Sequence, residues 1–342
     1  MKTRYLCFLM ILCITFVYGE TMIINKTNIT IEDVKFFLYH KESVLQNIRF
    51  IYTIRSIQPR YPEYNSKSVV VLGKCGNKLG GERIYKQDVS DEIYHSLYFF
   101  DGEKGYFWAP KTNSITLFSF TPVAMSKVGE YIAPLMEWTT SQTLVKTLED
   151  DDNPEIIKTY EKDGDFYVDF KCNLHAYDKD DMKKMDKSKW VAIDKNKIVF
   201  KCDYNLSKNI VTHREFYINE PLNYVRDVEE MMEISSGVYF PLKITEKSFE
   251  KNNKGEGFRV RGYGTYAYRN VALCNEKDLV DAISFQIPRG ANVYNNHTKE
   301  ISINGESYIS NLPQEEIEAL SVAKRLFGLS YQDLLNMLNE IE

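Results

Sequence analysis

A chain of 342 residues that is 44% hydrophobic and 27% charged, with only ten prolines, has the apolar surface for a buried core, and general disorder is excluded. Its net charge of −5 is spread along the chain, so no basic face is available to neutralise a phosphate backbone. Nucleic acid is therefore not expected as a partner.

The chain opens like an export signal. Lys2 and Arg4 are followed by an almost unbroken apolar run over 5–17, and Val17-Tyr18-Gly19 sets small residues where cleavage after Gly19 needs them. That run falls short of the roughly 20 residues a membrane-spanning helix requires, although retention as an uncleaved anchor is the competing reading. Cys13 lacks the preceding small residue of a lipid-attachment site. The expectation is a soluble, exported protein, periplasmic or secreted.

Thr30 is placed to cap a helix whose apolar positions Val34, Phe37, Leu38, Leu45 and Ile48 recur at three and four, running to about Asn47. Period two then takes over, with Phe50, Tyr52 and Ile54 alternating against Ile51, Thr53 and Arg55, and a β-branched run follows over 69–72. Residues 97–120 hold eight aromatics in 24 positions, against 13% in the whole chain. Turn signals at Asp101-Gly102 and at Pro110-Lys111-Thr112-Asn113 divide this stretch into strands, so the first sheet is expected to be a meander. Alternation puts Tyr98, Phe100, Tyr106 and Trp108 on one face and Phe99 and Phe107 on the other. Both faces are aromatic, so both need covering: one by helices or a hollow, the other by a second layer or a partner. A packed core and a ligand hollow account for the rings equally well.

Residues 121–148 read as helical. The acidic run over 149–155 reads as a solvated loop, lacking the spacing and the glycine of a calcium-binding loop, and the charged run over 178–187 reads likewise. Long strand-like runs then occupy 156–160, 166–174, 211–218, 224–234, 239–249 and 257–268, the last three separated by turn sequences. Two helical segments follow Pro313. Ser330 with Asp333 forms a capping-box pattern before a stripe of Leu334, Leu335, Leu338 and Ile341, which either docks on the body or receives a partner.

Four cysteines remain after cleavage, in a compartment that permits disulfides: Cys75, Cys172, Cys202 and Cys274. Cys172 and Cys202 each end a "FKC" run, and neighbouring strands in register would bridge them, leaving Cys75 and Cys274 to each other or as thiols. No cysteine pair or histidine has metal-ligand spacing, and no metal or cofactor is expected. The glycine-rich stretch over 73–83 has neither a P-loop ending nor a dinucleotide fingerprint and reads as a loop. His40, His95, His175, His213 and His297 are scattered, and no nucleophile elbow or zinc motif is present. His213 and Glu215 would share a strand face, which suits an acid/base pair and equally a surface salt link. Sequons stand at Asn25, Asn28, Asn205 and Asn296.

"LYFFDGEKGYFWAPKTNSITLF" (97–118) resembles the aromatic hairpins of the LolA-like family of periplasmic lipoprotein carriers. "IEDVKFFLYHKESVLQNIRFIYTI", "GVYFPLKITEKSF" and "ISFQIPRGANVYNN" follow in the family's order, over roughly 31–296. The resemblance implies an incomplete antiparallel barrel closed by helices over an apolar hollow for acyl chains. The Arg-Pro of the carriers, which helps hold their helical lid, is here Arg83 without the proline.

The expectation is an α+β fold, a large curved antiparallel sheet with helices over its concave face and a C-terminal helical tail. Its divisions are a signal peptide (1–19), a half-barrel domain (20–310) with an insertion around 145–195, and a helical extension (311–342). Phe50, Tyr52, Tyr98, Phe100, Tyr106, Trp108 and Leu117 are the expected cavity wall, and Val34, Phe37 and Leu38 the lid. The expected protein is a non-enzymatic monomer that binds an acyl chain, lipid or lipoprotein, with no cofactor. The alternative is an envelope sensory or interaction protein that meets a partner through its C-terminal helices. A hydrolase using His213 and Glu215 is the third reading.

Overall fold

Thr30 caps the first helix, α1 (Ile31–Val44): its hydroxyl accepts from the backbone N–H of Asp33, whose carboxylate in turn accepts from Thr30 N at 2.8 Å. The computed structural model describes residues 29–119, 144, 148, 149, 153–174, 198–218, 222–251, 258–296 and 298–342. Outside them lie the export signal with Cys7 and Cys13, the sequons at Asn25 and Asn28, His175, His297, the charged run over 178–187 and, apart from Leu144 and Leu148, the helix expected over 121–148. Among the described residues no helix is long and apolar enough to cross a membrane.

Two antiparallel meanders follow. The first runs through β1 (Asn47–Ile57), β2 (Ser66–Cys75), β3 (Lys78–Gln87), β4 (Ile93–Phe100), β5 (Lys104–Ala109) and β6 (Ser114–Ser119). The second comprises β7 (Glu155–Lys162), β8 (Asp165–Leu174), β9 (Ile198–Asn205), β10 (Ile210–Ile218), β11 (Leu222–Ser235), β12 (Val238–Lys251) and β13 (Phe258–Leu273). Pairing of β1 with β13, where Tyr52 faces Tyr268, joins them into one sheet. The chain then forms α2 (Glu276–Ile283), and β14 (Asn292–Asn295) adds to β6 in parallel, with β15 (Ile301–Ile303) outside it. Among the described residues fifteen strands run from β15 at one edge to β7 at the other without closing, an incomplete barrel that is antiparallel except for the β6–β14 pair.

Three short helices end the chain: α3 (Gln314–Leu320), α4 (Val322–Phe327) and α5 (Tyr331–Asn339). The capping box at Ser330 and Asp333 is formed. Helix α1 packs on the inner face of the sheet, whereas α2, α4 and α5 lie on the outer face of β2 and β3. The second layer needed by the outward aromatics is thus supplied by the chain's own C-terminal part. Leu334 and Leu338 are fully buried there and Leu335 and Ile341 partly so, which commits the terminal stripe to the sheet.

The stretch expected as a glycine-rich loop is a tight hairpin: β2 runs to Cys75, Gly76 takes the left-handed conformation at φ 57°, and β3 resumes at Lys78. The remaining glycines are there for close approach. A Cβ at Gly80 would stand 2.7 Å from Ile283 Cβ on the outer face, and one at Gly81 would stand 2.1 Å from the Tyr98 ring on the inner face.

The cysteines depart from expectation. Strands β8 and β9 pair as foreseen, but Cys172 faces Phe200 and Cys202 faces Phe170, so the two thiols are diagonal and not opposed. Diagonal neighbours lie roughly 7–8 Å apart, beyond disulfide geometry. Cys75 and Cys274 are thiols that donate to the carbonyls of Glu276 and Ala272.

Candidate ligand-binding interior

The inner face is built from even-numbered positions of β1, β2, β4, β8, β9, β12 and β13, which period-two alternation sends toward α1. Val34, Phe37 and Leu38 from the helix meet Phe50, Tyr52, Val70, Leu72, Tyr98, Phe170, Phe200, Tyr204, Phe240, Ile244 and Tyr268 in one buried cluster, to which Leu144 and Leu148 also belong. Rings form its centre. Phe50 lies 5.4 Å from Phe240 and 5.8 Å from Tyr268, and Tyr52 stacks on Tyr268 at 5.3 Å. Asn209, buried in the β9–β10 turn, donates to the Phe37 carbonyl at 2.9 Å and ties the helix to the second meander.

The expected wall residues divide between the two faces. Phe50, Tyr52 and Tyr98 join Val34, Phe37 and Leu38, the residues expected as a lid, and Phe100 shares the Tyr98 side of β4. Tyr106, Trp108 and Leu117 belong to the outer cluster instead. The reason is the hairpin register: Leu97 faces Trp108 and Phe99 faces Tyr106, pairing odd with even positions, so alternation reverses through the Asp101-Gly102 turn. It reverses again at β6, where Leu117 faces Tyr106. Phe99 is covered by Phe285, stacked at 4.4 Å, which also touches Tyr106 and Trp108.

Polar groups inside the inner layer are few. The hydroxyls of Tyr52, Tyr98 and Tyr268 are buried and have no hydrogen-bond partner among the described residues. Burial raises the pKa of each phenol above its ordinary value, so all three remain protonated. Arg83 lies on the same face, its Nη2 donating to Ser68 Oγ at 3.0 Å and its guanidinium over the Tyr85 ring. Arg214, with its guanidinium carbon 3.8 Å from the Phe200 centroid, faces Arg226, which pairs with Glu246. Lys41 is buried on the same stripe of α1 as Val34 and Phe37, and burial pulls its pKa down to about 7.

His213 does not pair primarily with Glu215. Its Nδ1 meets Asp227 Oδ1 on β11 at 2.6 Å, while Glu215 Oε1 lies 3.8 Å from Nε2. Burial opposes charge on the imidazole, but the hydrogen bond and charge of Asp227 outweigh it and raise the pKa. Facing His213 from β9 is Asp203, whose carboxyl is raised to about 6 by burial and by neighbouring Asp169. These groups line the outer face, away from the inner cluster. Among the described residues no three His, Cys, Asp or Glu side chains stand together as a metal site.

Two residues that organise the structure escaped sequence reading. Asn113, fully buried, accepts from Trp108 Nε1 at 3.2 Å and donates to the carbonyls of Arg289 and Ile309. The sequence marked it only as a turn residue, and its φ of 44° is a conformation that asparagine tolerates. Glu82, 1% exposed, accepts from His95 Nε2 at 2.7 Å, Ser321 Oγ at 2.6 Å and Ala323 N at 2.9 Å. At the sequon, Asn205 is fully buried, bonded to Asp165 and to the Lys208 backbone.

No family model and no curated protein matches this chain. Among solved structures it is similar to a LolA superfamily protein from Nitrosomonas europaea, 13% identical over 74% of this chain and 98% of that one, with a TM-score of 0.42. It is likewise similar to an outer membrane lipoprotein-sorting protein domain from Vibrio parahaemolyticus, 8% identical over 73% and 95%, with a TM-score of 0.45. A DUF1329 family protein from Desulfovibrio piger is 7% identical over 74% and 98%, with a TM-score of 0.44. The first of these bears the family name that residues 97–118 resemble.

Proposed function

We propose that this chain is an exported, non-enzymatic binding protein that holds an acyl chain, lipid or lipoprotein between its sheet and α1. The observation that carries this reading is the composition of the inner layer: aromatic and aliphatic side chains contributed by both meanders, closed on one side by a helix of 14 residues. A helix that short depends on its packing for stability, and it is the element that would yield to an entering chain. Burial of alkyl groups supplies the affinity, since ten methylenes at about 0.8 kcal/mol each amount to roughly 8 kcal/mol, which corresponds to micromolar binding. No reacting group is needed. Phe50, Tyr52, Tyr98 and Phe100 form the wall in this reading and Val34, Phe37 and Leu38 the lid; Tyr106, Trp108 and Leu117 support the wall from behind.

Lipid extraction of protein purified from cells, followed by mass spectrometry, tests this directly. Co-purifying acyl species are expected, together with saturable uptake of a fluorescent fatty acid. Protein that is empty and takes up no probe ends the proposal.

A further inference from the structure

Three hydroxyls without a partner among the described residues, all in one apolar cluster, demand a reason, because phenylalanine would fill each of these places without the desolvation penalty. The three tyrosines are placed to act together. Tyr52 and Tyr268 are directly opposed on β1 and β13 and stacked, with an interplanar angle of 21°. Tyr98, on the same inner face of β4, lies over the bare backbone of Gly81, where a Cβ would come within 2.6 Å of the hydroxyl. Arg83 stands in the same cross-strand row as Tyr268, Tyr52 and Val70. Protonated phenols and a guanidinium bring hydrogen-bond donors to this part of the inner face.

We infer that the hydroxyls of Tyr52, Tyr98 and Tyr268 hold the oxygen end of an acyl ligand, the carbonyl of an ester or the carboxylate of a fatty acid. An alkyl chain entering this interior brings that acceptor with it, and the donors fix where along the inner face its head stops. This assignment deepens the function proposed above and rests on it.

The test compares the full chain with a triple variant, Tyr52→Phe, Tyr98→Phe and Tyr268→Phe, against methyl palmitate, palmitate and hexadecane. The variant should weaken binding of both oxygen-bearing probes by roughly fivefold per hydroxyl engaged and leave hexadecane unchanged. Its melting temperature should hold or rise, which separates lost recognition from lost folding. An Arg83→Met variant distinguishes the two head groups: a loss confined to palmitate assigns the carboxylate, and undiminished binding of both probes assigns the ester carbonyl. If the triple variant binds methyl palmitate and palmitate as tightly as the parent, the inference is wrong although the interior still binds acyl chains. If the parent takes up none of the three probes, hexadecane included, the binding function itself fails.

Discussion

The two meanders share an inner layer and differ in what covers their outer face. In the first, the outward row Ile51, Val71, Glu82, Leu97, Trp108, Ile115 and Val293 crosses seven strands and is apolar except for one glutamate. In the second, the corresponding row runs Lys158, Asp169, Asp203, His213, Asp227 and Thr245. One row lies under C-terminal helices; the other is made of charged and polar side chains that pair with one another, half-buried except for buried Asp169 and exposed Lys158. The two halves of one outer face thus differ in chemistry: apolar packing under a helical layer in the first, ion pairs and hydrogen bonds along the strands in the second.

Glu82 is the sharpest place to break that contrast. Glu82→Ala leaves His95, Ser321 Oγ and Ala323 N without their shared acceptor, and loss of one member of a buried polar cluster costs roughly 3–5 kcal/mol. Thermal unfolding should fall accordingly, and limited proteolysis should begin beyond residue 312. The inner layer responds in the other direction. Lys41 has a folded pKa of about 7, well below that of the unfolded lysine, so the unfolded chain binds more protons and stability rises with pH between about 7 and 10.5. Lys41→Met should therefore stabilise the protein at pH 6 by roughly 2–4 kcal/mol and lose that advantage above pH 10.5, as measured by urea unfolding.

Gly80→Ala should cost about 1–3 kcal/mol, because the added methyl meets Ile283 at the foot of α2. Asp203→Asn acts by pH on the charged row. The folded carboxyl at about 6 exceeds the unfolded value near 3.8, so the folded state binds more protons and stability falls as pH rises through that window. His213 adds to the trend, since its raised pKa gives stability that is full below about 6.5 and lost as pH climbs through the folded value. Asp203→Asn should flatten the decline, raising the melting temperature at pH 8 and not at pH 4. Lys243→Ala, which removes an exposed ion pair with Glu229, should leave melting unchanged.

Local signals in the sequence carried much of this fold. The capping boxes at Thr30 and Ser330, the alternation in β1 and the long strands β10 to β13 follow from neighbouring residues alone. The face of Trp108 did not, because it depends on how many residues the Asp101 turn leaves unpaired, and one unit of register inverts every side chain beyond it. The 73–83 stretch misled for a related reason: its glycines make room for Ile283 and Tyr98, which are distant in sequence. Helix α2, only eight residues long, gave too short a pattern to stand out. Of the inner cluster, the inward placement of Phe50, Tyr52, Tyr98, Val34, Phe37 and Leu38 was legible. Arg214 and Arg226 were not, since charged residues in a strand ordinarily face water.

The Glu82 contacts to Ser321 and Ala323 span 239 and 241 positions of the chain. The apolar row they cover is synthesised well before its cover. Until residues 276–339 emerge, β1 to β6 present Ile51, Val71, Leu97 and Trp108 without their helical layer, and a stop before them would leave that surface permanently bare. Order of synthesis thus makes the C-terminal helices the step that renders the nascent sheet safe from other chains.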